Sequence, residues 1–81
     1  MTMNNETLVI VRQNNYWGAG ETLTEARTYY KRASGRYPTS NASIIAYSGP
    51  SDEVENIRID DVDGTINYPK TLTKVVLQEA K

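Results

Sequence analysis

NNYWGAGETLTEA, residues 14–26, sets the only tryptophan of the chain, Trp17, between asparagines and glycines, directly ahead of a helix start signal. Thr22-x-x-Glu25 is a capping box: the Thr22 hydroxyl accepts from the Glu25 amide while the Glu25 carboxylate can reach back to the Thr22 amide. A helix is therefore expected from here to about Ser34, with Gly35 able to take the left-handed stop conformation. Leu23, Ala26, Tyr30 and Ala33 fall at helical spacing and form the apolar stripe of a helix lying on a sheet. Ahead of it, Gln13 to Glu21 reads as a loop. Gly18 and Gly20 would let the backbone turn sharply into the helix, and Trp17 would fold its ring over the end of the sheet. The competing use of Tyr16 and Trp17 is as exposed aromatic anchors for a partner. Gly18-Ala19-Gly20 has the start of a dinucleotide-binding fingerprint, but Leu23 stands at the third glycine position and the chain is too short for that fold.

Outward from this stretch, Leu8-Val9-Ile10-Val11 is a continuous apolar run and reads as an inner strand. Residues 42–48 form a second strand closed by Gly49-Pro50, and residues 51–55 a charged loop. Asp63-Gly64 predicts a two-residue hairpin turn. In that register Val62 pairs with Thr65, Asp61 with Ile66, Asp60 with Asn67 and Ile59 with Tyr68, and Ile57, Ile59, Ile66 and Tyr68 face inward. The tail from Thr71 suits a strand better than a short helix, because Val75-Val76 and the threonines are β-branched. The whole is one small α+β domain over residues 1–81, an antiparallel sheet with one helix packed on it in the order β-α-β-β-β.

A chain of 81 residues buries only about two thirds of the surface its unfolded form exposes, so its core is thin and shallow recognition suits it better than a deep substrate pocket. It contains no cysteine and no histidine. Disulfides, thiolate or imidazole metal sites and His-dependent nucleophilic triads are thereby excluded. No catalytic residues, metal or cofactor are expected, and an enzyme relying on carboxylates ranks last. The amino end carries neither a basic n-region nor an apolar run long enough for a signal peptide or membrane span, which makes the cytosol the default. Net charge is −1, without the basic excess that salt-driven DNA binding requires.

Two charged regions remain. Asp52, Glu53, Glu55, Asp60 and Asp63 would form an acidic edge able to meet a basic groove on a partner. Asp60-Asp61-Val62-Asp63-Gly64 does not fit a calcium loop, since Ile59 and Lys70 occupy the first and twelfth ligand positions. On the predicted helix, Arg27, Lys31 and Arg32, with Arg36 and Tyr37 beyond it, offer an alternative contact to nucleic acid; ordinary solvation and a favourable position near the helix C-terminus account for them better.

W17-G18-x-G20-x-T22-L23-x-E25-A26, following a short apolar strand, resembles a pattern of small proteins from bacteriophages and other mobile elements. The likeness covers residues 7–34 and implies no catalytic residues. Some such proteins bind and block host defence complexes, CRISPR effectors among them. The resemblance implies a phage-borne, non-enzymatic inhibitor acting in the host cytoplasm on a protein or nucleoprotein complex, and a homodimer is compatible with it.

Overall fold

Asn14 adopts a left-handed backbone, φ 58°, and that single conformation turns the expected loop into a hairpin. In the computed structural model, which describes residues 5–60 and 65–79, β1 (Asn5–Gln13) runs through a tight turn at Asn14-Asn15 into β2 (Tyr16–Gly20). Gln13 pairs with Tyr16 and Val9 with Gly20. Asparagine is among the few residues other than glycine that tolerate the left-handed region, which a two-residue hairpin demands. Residues 16–20 are thus a strand and not a loop.

The helix is where its signals place it: α1 spans Leu23–Ser34. The Thr22 hydroxyl accepts from the Glu25 amide at 3.2 Å. Gly35, at φ 88°, closes the last turn by donating to the Lys31 carbonyl. The inward stripe is narrower than expected. Ala26 and Tyr30 are buried, whereas Leu23 and Ala33 are exposed, because α1 lies over β2 and β1 alone and does not reach β3 or β6.

β3 (Ser43–Pro50) pairs with β1 along its whole length, and β6 (Thr73–Gln78) pairs with β3. The result is an antiparallel four-stranded sheet in the order β2-β1-β3-β6. The tail is therefore a strand. Between β3 and the following hairpin, Ser51–Val54 forms the short helix α2, not the expected charged loop, and Val54 is its buried residue.

β4 (Arg58–Asp60) and β5 (Thr65–Asn67) form a separate two-stranded sheet. Asp60 pairs with Thr65 and Ile59 with Ile66, a shift of two residues from the expected register. The expected pairs through Asp61 and Val62, and the Asp63-Gly64 turn itself, lie outside the described residues. A two-residue shift preserves the side-chain face. Ile57, Ile59, Ile66 and Tyr68 therefore still point inward and pack on Ile10, Tyr47, Val54 and Leu72.

The sheet is thus the middle layer. Val9 and Val11 meet Ala26, Tyr30 and Ala42 on the α1 face, while Ile10 and Tyr47 meet α2, Leu72 and the hairpin on the other. Residues 9–11 are buried on both sides, which explains the continuous rather than alternating apolar pattern. Each such side chain contributes about 1.5–3 kcal/mol on removal from water.

The connection from α1 to β3 is held by two glutamines. The Gln13 side chain accepts from the Thr39 amide at 3.0 Å and donates to its hydroxyl. From β6, the Gln78 amide donates to the Ser40 carbonyl and, at 2.8 Å, to that of Ala42.

Candidate interaction groove

β1 extends beyond β2. Val9 is the last β1 residue with a β2 partner, whereas β3 continues alongside β1 as far as Asn5. Among the described residues no strand lies beside Asn5–Leu8 on the β2 side, so the sheet has a notch there. The chain leaves β2 at Gly20 and climbs through Glu21 into α1, which walls the notch on one side. α2 and β4, on the opposite face, wall it on the other.

The notch opens into a groove of about 640 Å³. Leu8, Trp17, Ala19, Val54, Ile57 and Ile59 supply its apolar surface. Its carboxylates come from Glu6 of β1, Glu21, Glu25 of α1 and Glu55 after α2. Among the described residues Arg58 is the only basic one lining it. The Arg58 guanidinium donates to the backbone carbonyls of Glu55 and Ile57 at 3.0 and 3.1 Å, so it closes the turn before β4. The groove therefore joins an apolar floor to an acidic rim.

Strand alternation places Trp17 there. Tyr16, Gly18 and Gly20 point toward α1, and Trp17 and Ala19 to the opposite face with Ile10. The two expected aromatic anchors consequently part company. Trp17 is half-buried in the groove, whereas Tyr16 is exposed on the other face, with its ring edge-on to Tyr30 at 6.5 Å. Gly18 and Gly20 do not make a sharp turn. They are buried strand residues whose missing side chains let α1 approach. The Glu25 side chain lies over Gly20, which carries its carboxylate to the rim.

Of the acidic residues singled out in the sequence, one, Glu55, lines the groove. Asp52 is exposed and Glu53 half-buried on α2, Asp60 is half-buried on β4, and Asp63 lies outside the described residues. Glu6, Glu21 and Glu25 were not anticipated. The available signal was Asn14-Asn15: read as a hairpin turn, it would have set Trp17 and Ala19 on one face and brought Gly20-Glu21 to the end of a strand.

The basic residues form a surface strip with two tyrosines. Lys31 Nζ lies 4.7 Å and the Arg27 guanidinium 5.8 Å from the centre of the Tyr37 ring. The Arg32 guanidinium lies 5.3 Å from that of Tyr29. Tyr37 is 51% exposed, and Arg36 is exposed beside it. Among the described residues no three acidic side chains are placed to share a metal ion, and no helix is long and apolar enough to cross a membrane. Comparison with protein-family models, with curated proteins and with solved structures finds no match.

Proposed function

We propose that this protein is a non-enzymatic interaction protein that takes an extended, basic and apolar segment of a partner protein into the groove beside β1 and β2. The observation that carries this reading is the joining of Trp17 and an apolar floor to the carboxylates of Glu6, Glu21, Glu25 and Glu55 in one cleft. A lysine or arginine stem covers apolar surface while its charged head meets a carboxylate, and a guanidinium also stacks on an indole. The open backbone of Asn5–Leu8 adds main-chain hydrogen bonds to any segment that arrives extended. Acidic steering accelerates encounter and an aromatic anchor slows release. A phage-borne inhibitor would use such a cleft to occupy the basic surface of a host complex, a CRISPR effector being one concrete target class.

Trp17 supplies its own probe. Titration with short peptides alternating arginine or lysine with valine or leucine should change Trp17 fluorescence, and affinity should fall as salt rises. Trp17→Ala, followed by calorimetry, should weaken binding about tenfold or more, and the combined Glu6→Gln, Glu25→Gln, Glu55→Gln variant should remove most of the salt dependence. Basic peptides that bind no better than acidic ones would overturn the reading.

A second reading rests on the strip along α1. Tyr37 stands exposed between Arg27 and Lys31, an arrangement suited to stacking a base while cations meet phosphates. It requires affinity for a single-stranded oligonucleotide that drops steeply with salt and is lost in Tyr37→Ser.

A further inference from the structure

Among the described residues β6 is the outer strand at the end of the sheet opposite β2, and none of them pairs with its far edge, which carries a row of backbone donors and acceptors available to another chain. Val75, Val76 and Leu77 are 46, 44 and 55% exposed. Single apolar residues at a surface are ordinary, but three in succession on a strand that α1 does not cover form a continuous sticky edge. We propose that β6 pairs antiparallel with β6 of a second copy of this chain, joining two four-stranded sheets across a two-fold axis perpendicular to them.

The strand's own irregularity selects the register. Such an axis brings together side chains that lie on the same face of the sheet. Thr73 and Val75 pair with Ser48 and Ala46 on the α1 face, and Lys74 and Val76 pair with Tyr47 and Ile45 on the hairpin face. The ladder then slips by one residue: Gln78, not Leu77, pairs with Ile44. Val76 and Leu77 thus oppose Ile45 together, and Gln78 returns to the α1 face. In an unbroken strand, neighbouring residues such as Val76 and Leu77 could not face one another across this axis. With one extra residue they can. Val76 then faces Leu77 at the centre, Val75 faces Gln78, and Lys74 faces Glu79, each pair occurring twice by symmetry.

Opposite charges directly across an antiparallel pair stabilise it, whereas like charges would oppose it. The Lys74 ammonium already stands on the hairpin face, 5.9 Å from the centre of the Tyr68 ring. Gln78, tied to the carbonyls of Ser40 and Ala42, holds the far end of the strand in place before any partner arrives. A lysine and a bulge commonly discourage pairing at an edge; here the same two features create a self-complementary one. A single strand pair is a small interface, so the dimer is a weak one.

Sedimentation equilibrium of the full chain between roughly 10 µM and 1 mM, the range in which small interfaces associate, should show the mass rising from 9.1 kDa toward twice that value. Leu77→Lys, at an exposed position, should weaken association at least about tenfold while leaving the circular dichroism unchanged. Lys74→Glu and Glu79→Lys should each weaken it, and the double exchange should restore it. Trp17→Ala should leave it unaffected, because Trp17 sits on the opposite edge strand; the dimer and the groove can therefore fail separately. A chain that stays at 9.1 kDa throughout, a dimer indifferent to Leu77→Lys, or a double exchange as weak as the single ones would each overturn the proposal.

Discussion

Gly18 lies against Tyr30 so closely that a Cβ atom on Gly18 would stand 2.2 Å from the Tyr30 amide nitrogen and 2.3 Å from the Ala26 carbonyl oxygen. Both neighbours are helix backbone, which cannot rotate aside as a long side chain can. The absence of a side chain at this strand position therefore sets how near α1 sits to β2. Gly18→Ala should lift the helix from the sheet and loosen the cluster of Val9, Val11, Ala26 and Tyr30. We expect a loss of about 3 kcal/mol, the upper range for overpacking, measured by urea unfolding. A loss below about 1 kcal/mol would show that the helix is not held at this distance.

Gly35 provides the contrast. Its φ is 88° and a Cβ there would meet nothing within 4 Å. Gly35→Ala should therefore cost only the backbone strain of the left-handed conformation, about 1 kcal/mol. The same urea measurement should rank Gly18→Ala well above Gly35→Ala, although the two substitutions add the same atom.

Tyr47 predicts an alkaline limit to stability. Burial, and secondarily the neighbouring Tyr68 phenol, raise its pKa above the ordinary tyrosine value. The native state thus holds the Tyr47 proton more tightly than the unfolded chain does. Its contribution to stability is complete below about pH 10, the unfolded value, and is lost as pH rises through the higher folded value. Tyr47→Phe should flatten this alkaline decline when unfolding is followed by circular dichroism across pH. An unchanged decline in the variant would remove Tyr47 as its source.

The two glutamine clamps predict local rather than global loosening. Gln13→Ala and Gln78→Ala each free one attachment of the connection at Thr39–Ala42. Each removes two hydrogen bonds and should cost about 2 kcal/mol, at about 1 kcal/mol net for each intramolecular bond. Hydrogen exchange should rise in residues 37–42 and change little at Val9–Val11. Uniform exchange along the chain would contradict this assignment.

What could be read from the residues alone was local or periodic. Thr22, Glu25 and Gly35 announce both ends of α1 because a cap is made between residues a few positions apart. The inward set of Ile57, Ile59, Ile66 and Tyr68 was also legible, since side-chain face depends only on parity and survived a two-residue error in register. The β-branched tail pointed to a strand, and these elements together led to the α+β class.

The tertiary structure decided the rest. Tyr16–Gly20 contains two glycines and has little intrinsic preference for a strand; it becomes one because β1 offers it partners and α1 needs its missing side chains. That choice separated Trp17 from Tyr16 and drew Glu6, Glu21, Glu25 and Glu55 into one cleft from four places along the chain. The slip in β6 depends on where Ile44 and Ile45 lie, some thirty residues earlier by the observed pairing. Caps and parity are properties of a segment, whereas close approach, a shared cleft and a bulge belong to pairs of segments brought together by burial. Only the folded chain contains them.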